Sequence, residues 1–192
     1  PVGLAEPAET VEFDVMLLDA EGNVLERGWS TTNHIVLFPG ERQVVRTLDW
    51  NDSWFSRHID DIAAVEITTP MGQVYTGYSG YRHDFDFTID EIEEWGGDNL
   101  DYSGTITNTG DLPQESVRVV GLAFDAAGNV VGWGDGGLGR RLANGDWEWG
   151  DWGEVIEPGG SSEFKITVQL WWPADVARVE ISAEGSDGSF GF

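Results

Sequence analysis

Four tryptophans stand within residues 132–153, at Trp133, Trp147, Trp149 and Trp152, interleaved with glycine and acidic residues. An indole ring stacks on the apolar face of a sugar or anchors a protein interface, while its N–H seeks a polar partner. Trp147 and Trp149 lie two residues apart, so in extended chain they share one face, as a binding platform requires. A second reading of the same stretch is a long hairpin that folds back and covers its domain with the rings. Trp50 and Trp54 form another aromatic group in Trp50-Asn-Asp-Ser-Trp54-Phe55, and Asn51-Asp52-Ser53 within it is an N-glycosylation sequon.

Other chemistries find less support. His34, His58 and His83 show neither i, i+2 nor i, i+4 spacing, and read as surface or loop residues. Gly134-x-Gly136-x-x-Gly139 has the spacing of a dinucleotide fingerprint. It is followed by Arg140-Arg141-Leu-Ala-Asn-Gly instead of a helix, outside any βαβ pattern, and is set aside. Carboxylate pairs such as Glu93-Glu94 are too numerous to single out a glycosidase pair. With no nucleophile elbow, nucleophile–base pair or metal cluster visible, an enzyme is not expected. Acidic, glycine-rich segments at 134–136, 144–154 and 184–188 offer oxygen ligands for loosely bound calcium, although none has EF-hand spacing. No other cofactor is expected.

The setting follows from the charge. Among 192 residues, 35 are Asp or Glu and 10 are Lys or Arg, a net charge of −25. Such a surface repels nucleic acid and anionic membrane, and no basic stripe offsets it. No apolar run approaches the ~18 residues needed to span a bilayer. Aromatics and aliphatics are too plentiful for a disordered acidic tail. Cysteine is absent, which leaves the redox compartment unread. The basic residues are Arg, apart from Lys165. Acid excess with little lysine resembles proteins of salt-loving organisms, because charge that self-repels in dilute buffer is screened in brine. An ordinary acidic secreted protein is the alternative. The sequence starts at Pro1 without a signal-type segment, which reads as a processed chain or a piece of one.

The elements that must position these residues are organised by a repeat. Val11–Leu25 aligns without a gap with Val117–Val131. Within these stretches, Asp19-Ala-Glu-Gly-Asn-Val24 and Asp125-Ala-Ala-Gly-Asn-Val130 share Asp-Ala-x-Gly-Asn-Val, each after an apolar alternation. Pro39-Gly40 then matches Pro158-Gly159, and Asp61-Ile-Ala-Ala-Val-Glu-Ile-Thr68 matches Asp175-Val-Ala-Arg-Val-Glu-Ile-Ser182. Three blocks in one order indicate a tandem duplication. Alternation predicts strands at Val11–Leu18, at Ser162–Leu170 with Phe164, Ile166, Val168 and Leu170 on one face, and at Val65–Thr68 and Val179–Ser182. Phe85, Phe87 and Ile89 predict a half-buried strand, and Tyr102–Thr107 another. The best helical candidate, 57–64, is at most two turns. The expectation is an all-β protein of two tandem immunoglobulin-like β-sandwiches, residues 1–78 and 79–192.

From residue 83 on, a strand is followed by Ser103-Gly-Thr-Ile-Thr-Asn-Thr-Gly-Asp111, Phe124-Asp-Ala-Ala-Gly-Asn-Val130, Pro158-Gly159-x-Ser-x-x-Phe164 and a final Val179-x-Ile181. This order resembles the FxLYD domain, an immunoglobulin-like sandwich of exported bacterial and archaeal proteins. The name-giving positions correspond to Val15-Met-Leu-Leu-Asp19 and Gly121-Leu-Ala-Phe-Asp125, which depart from the consensus at their first residue and at Ala123. The resemblance covers about 83–186 and, partially, 1–70. It implies an extracytoplasmic, non-catalytic module and supplies no catalytic residue. The first repeat lacks its N-terminal strands, since aligning the repeats places Pro1 opposite Thr107. The domain then begins mid-way, or segment 73–82 fills the gap, or a strand from a neighbouring molecule does.

The expected function is that of an extracellular, cell-surface structural or adhesive protein, a surface-layer or pilus-like filament component. It would contact copies of itself or other surface proteins through strand edges and Trp loops. The alternative is a carbohydrate-binding module. The charge makes a direct prediction. The melting temperature rises as NaCl increases from about 0.1 M to about 1 M, where the Debye length falls from about 10 Å to about 3 Å. Scanning calorimetry across that range checks it, and a flat profile contradicts it.

Overall fold

A computed structural model describes residues 8–9, 12–32, 36–37, 45–47, 59–67, 80–150, 154–171 and 175–188. It is all-β, and the only helical element among these residues is a single 3-10 turn, Ile59–Asp61, inside the 57–64 segment. The chain divides into two compact units, 1–78 and 79–192. No helix among the described residues is long and apolar enough to cross a membrane.

The first unit contains β1 (Ala8–Glu9), β2 (Glu12–Leu18), β3 (Val24–Thr32), β4 (Val36–Leu37), β5 (Val45–Thr47) and β6 (Ala64–Ile67). The second contains β7 (Tyr81–Arg82), β8 (Phe85–Trp95), β9 (Asn99–Asn108), β10 (Glu115–Phe124), β11 (Val130–Arg141), β12 (Trp147–Trp149), β13 (Ser161–Leu170) and β14 (Arg178–Ser186).

In the second unit the strands run β7-β14-β10-β11-β13-β9-β8, with β12 attached to β11. This sheet doubles over into a sandwich-like arrangement. Phe164, Ile166 and Val168 of β13 are fully buried together with Ile106, Val119 and Ala123. Phe87 meets Phe164 edge to face at 5.6 Å. The β10 and β13 layers approach so closely that a Cβ at Gly121 would lie 2.6 Å from Ile166 Cδ1 and 2.7 Å from Val168 Cγ2.

The fold-over happens at β11, the strand between those layers. A Cβ at Gly134 would stand 1.8 Å from the Thr167 carbonyl oxygen, and one at Gly136 would stand 2.1 Å from that of Lys165. The β11–β13 ladder has no pair at Gly134 or Asp135. Only glycine lets two backbones come this near. The glycine spacing that mimics a dinucleotide fingerprint is the crease of the sheet.

The two units pair their strands in the same register. Val15 opposes Gly28 and Ile67 in the first unit, and Gly121 opposes Gly134 and Ile181 in the second. Leu17 opposes Glu26 and Val65, as Ala123 opposes Gly132 and Val179. Ser30–Thr47 and Thr32–Val45 match Gly136–Ile166 and Leu138–Phe164. Even the short Ala8–Leu37 contact has its counterpart in the isolated Gln114–Ile156 bridge.

One turn sets both registers. Asp19 Oδ1 accepts the backbone N–H of Glu21 and Asn23 at 3.0 and 2.7 Å, while Oδ2 accepts Asn23 Nδ2 at 2.9 Å. Asp125 does the same with Ala127, Asn129 and Asn129 Nδ2 at 2.9, 2.8 and 2.8 Å. Gly22 and Gly128 take φ of 83° and 87°, the left-handed conformation that the turn needs. The hydrogen bond from the Asn side chain, reinforced by the backbone ones, holds both carboxyls below their ordinary value.

Asn108, from the Thr-Asn-Thr-Gly segment, is a buried clasp. Its Nδ2 donates to the carbonyls of Leu112 and Ile156 at 2.8 and 2.9 Å, and its Oδ1 accepts Gly110 N–H at 2.9 Å. Its backbone bonds Gly159 and Gly160, which ties β9 to the Pro-Gly turn before β13.

Three details differ from the sequence expectation. The strand beginning at Phe85 continues to Trp95, and a bulge between Ile89 and Glu91 leaves Ile89 exposed while Phe85 and Phe87 pack on the core. Within 73–82, Tyr81 and Arg82 pair with Ser186 and Gly185 of the second unit, so these two residues do not complete the first; 73–79 lie outside the described residues. All of 132–141 is strand rather than loop.

Two outcomes follow from these contacts. Gly134→Ala destabilises by about 3 kcal/mol, the upper end for an overpacked interior. Gly137→Ala, whose nearest neighbour is Val117 O at 3.7 Å, stays within about 0.5 kcal/mol. Denaturant unfolding at fixed salt measures both. For Asp125→Asn, a carboxyl pKa lowered in the native state adds stability above the unfolded value of 3.8 and loses it as pH falls through the folded value. The melting temperature of the variant therefore lies below wild type at neutral pH, and the gap closes as pH drops under 3.8.

Candidate functional site

β12 returns along the end of β11, with Trp147 opposite Arg141 and Trp149 opposite Gly139. The turn between them is closed by Leu142 N–H to Asp146 O at 2.7 Å and Gly145 N–H to Leu142 O at 2.9 Å. Asn144 and Asp146 bond each other through side chain and backbone. The strand pleat places both rings on one side, with centroids 6.4 Å apart and planes tilted by 34°. Glu148, between them, pairs with Arg140.

The rings are held differently. Trp147 is partly buried, and Lys165 Nζ lies 5.9 Å from its ring centroid. That ammonium also bonds Asp101 Oδ2 at 2.7 Å, while Thr167 Oγ1 donates to Asp101 Oδ1 at 2.7 Å. Asp101 is almost fully buried, so these two partners satisfy a carboxylate that would otherwise be costly. Trp149 keeps 56% of its surface exposed.

Trp133 sits further along β11, opposite Leu122 and Gln169 and partly buried, away from the β11–β12 pairs. The structure therefore brings Trp147 and Trp149 together and leaves Trp133 apart. Trp152, Trp50, Trp54 and Asn51 lie outside the described residues, as do His34 and His58. His83 Nε2 lies 3.8 Å from the buried Glu184 carboxylate.

Trp149 borders a cleft of about 390 Å³ between the β10–β11 pair and the segment after β12. Its other walls are Ser116, Arg118, Asp135, Leu138 and Glu154. Arg118 Nε and Nη2 both donate to Asp135 Oδ2, at 3.2 and 2.8 Å. Glu154 Oε1 accepts Ser162 Oγ at 2.6 Å. Ser116 is the one non-glycine residue with positive φ among those described, at 52°, where the β10–β14 register shifts between Glu115 and Arg118. A smaller depression of about 310 Å³ lies beside Trp147, with Glu91, Ser103 and Arg141 in its wall. Arg141 bridges Glu91 and Glu93 of β8.

All three segments considered for calcium overlap strands, and 151–153 of the second lie outside the described residues. Residues 134–136 are in β11, with Asp135 bound to Arg118. Glu184 is buried in β14, and Asp187 faces Arg82 at 3.5 Å. No group of three metal-ligating side chains converges among the described residues.

Sequence reasoning reached Trp147 and Trp149 but not Ser116, Arg118, Asp135 or Glu154. Arg118 and Asp135 stand on adjacent strands, joined only by the register that the Asp125 turn imposes. The charges at these positions resemble any others on an acidic surface. No protein-family model and no curated protein matches this chain.

Proposed function

We propose that this chain is a non-catalytic extracellular protein of structural or adhesive type, a surface-layer or filament component built of two tandem immunoglobulin-like sandwiches of the FxLYD kind and adapted to high salt. The observation that carries the reading is the β11–β12 hairpin. It spends an extra strand to present Trp149 at the surface, where an aromatic ring costs solubility unless it meets a partner. The matched registers of the two units support descent from one duplicated sandwich. Among the described residues, the first-unit strands β2, β3, β5 and β6 are the counterparts of β10, β11, β13 and β14. A further strand pair, supplied by its own chain or a neighbour, would complete that sandwich as β8 and β9 complete the second.

Salt fits the same picture. Each basic residue described in the second unit is already committed to an acid: Arg82, Arg118, Arg140, Arg141, Lys165 and Arg178 all sit in ion pairs. The strand at the sheet edge, β8, carries Asp86, Asp90, Glu91, Glu93 and Glu94. Edge-to-edge pairing of copies is repelled in dilute buffer and permitted when charge is screened.

A carbohydrate-binding module is the second reading, favoured by the mainly apolar cleft beside the exposed Trp149 ring. Light scattering after size exclusion tests the first. Self-association appears as salt rises from about 0.1 M to about 1 M and weakens in Trp149→Ala; a strict monomer throughout overturns assembly. A screen of immobilised glycans tests the second.

A further inference from the structure

We infer that the edge of β8 is a docking site for an extended, basic segment of another protein, a strand in which Arg or Lys alternates with aliphatic residues, which rests on the adhesive reading and names the partner that this edge meets.

The main chain supplies the template. β8 ends the order of its sheet and pairs with β9 alone among the described residues. Its 11 residues therefore offer N–H and C=O groups along their other side, which is what strand addition uses.

The two faces of β8 supply the specificity. Ile89 and Ile92 oppose Gly104 and Tyr102, two positions apart on β9, so both isoleucines lie on one face. They are 39% and 60% exposed, beyond the stretch where Phe85 and Phe87 pack on the core. Aliphatic residues of an added strand cover them from the side. The bulge after Ile89 turns Asp90 and Glu91 together to the opposite face. There Asp90 Oδ2 accepts Thr105 Oγ1 at 3.4 Å, and Glu91 pairs with Arg141.

The depression beside Trp147 adjoins that second face. Asp90, Glu91 and Glu163 line its volume of about 310 Å³ against a single guanidinium, that of Arg141. Arg141 is bonded to Glu91, and its backbone N–H serves Glu163. Asp90, and Asp86 and Glu94 along the same strand, have no basic partner among the described residues. A cationic side chain from the outer face of an added strand reaches Asp90, with an indole beside it.

Charge decides between occupants. Acids and a bulge on an edge strand deter pairing with another copy. The same acids attract a strand of opposite sign, which gains cross-strand ion pairs where a second copy meets like charge. A cation lodged in the depression is screened less than one in open solvent, so the pairing weakens in brine without vanishing.

The test uses the whole chain and a fluorescent peptide alternating arginine with valine, followed by anisotropy at about 0.1 M and about 1 M NaCl. Two control peptides carry glutamate in place of arginine, or arginine with every amide N-methylated, which keeps the charge and removes the main-chain donors. Wild type is expected to bind the basic peptide alone, less tightly at the higher salt. Asp90→Lys weakens binding at least tenfold and Ile92→Thr at least threefold. Glu180→Lys, an equal charge change on β14 in the opposite layer, alters it less than twofold. All three positions are exposed, so folding is retained, and thermal unfolding of each variant confirms it. Equal losses in Asp90→Lys and Glu180→Lys, or equal binding of the methylated peptide, trace the affinity to the general field of the chain and overturn the site. No binding of the basic peptide overturns it too; self-association in salt that Ile92→Thr then abolishes makes a second copy the occupant and keeps the adhesive reading. Peptide binding by a chain that stays monomeric supports the docking site and removes self-assembly.

Discussion

The approach of two backbones at β11 is the constraint on which the second unit depends. Gly134 and Gly136 bring β11 against the carbonyls of Thr167 and Lys165 at separations that no side chain tolerates. That approach lets one continuous sheet double over, so that Gly121 of β10 faces Ile166 and Val168 of β13 across the core. A flat sheet of these strands would leave Phe164, Ile166 and Val168 on an open face. With the crease they are fully buried, at about 1.5–3 kcal/mol for each large apolar side chain removed from water.

The crease also explains how a surface so charged coexists with an ordinary interior. On β8 the residues alternating with the core positions are acidic or hydroxylic, as Asp86 and Thr88 are. Where a basic residue occurs in the second unit, a neighbouring strand supplies its acid: Arg118 with Asp135, Arg141 with Glu91, Lys165 with Asp101. The exposed pairs, Arg118 with Asp135 and Arg141 with Glu91, each add little stability, about 0–1 kcal/mol, whereas Lys165 with Asp101 is largely buried. Their number matters more for placing the few cations where uncompensated acids would crowd. Carboxylates that stay in solvent, such as Asp86 and Glu94, are governed by salt, whereas Glu184 is buried.

The hairpin that carries Trp147 and Trp149 is an outgrowth of the same creased strand. Past the crease, β11 continues to Arg141 and turns back as β12. One ring is anchored over the Lys165–Asp101–Thr167 group, and the other is left open. The anchoring makes the exposed ring a positioned group rather than a loose one, since its neighbour two residues away is held from below.

Much of the fold was legible in residue order. Alternation of Phe164, Ile166, Val168 and Leu170 marks a strand with one buried face, and period-two patterning has no other economical solution. Asp-Ala-x-Gly-Asn marks a turn because its carboxylate can bond only the next few N–H groups and its glycine alone takes the required φ. These are local relations, complete within a few residues. The proximity of Trp147 to Trp149 is local for the same reason. The crease, the long β8 with its exposed Ile89, and the pairing of Arg118 with Asp135 are of another kind. Each depends on which strand lies alongside and how closely, information carried by contacts between residues far apart in the chain. Glycines at 134 and 136 look alike whether they cradle a phosphate or a neighbouring strand. Only the tertiary structure decides between the two, because the atom that excludes a side chain there, the carbonyl of Thr167, comes from another strand.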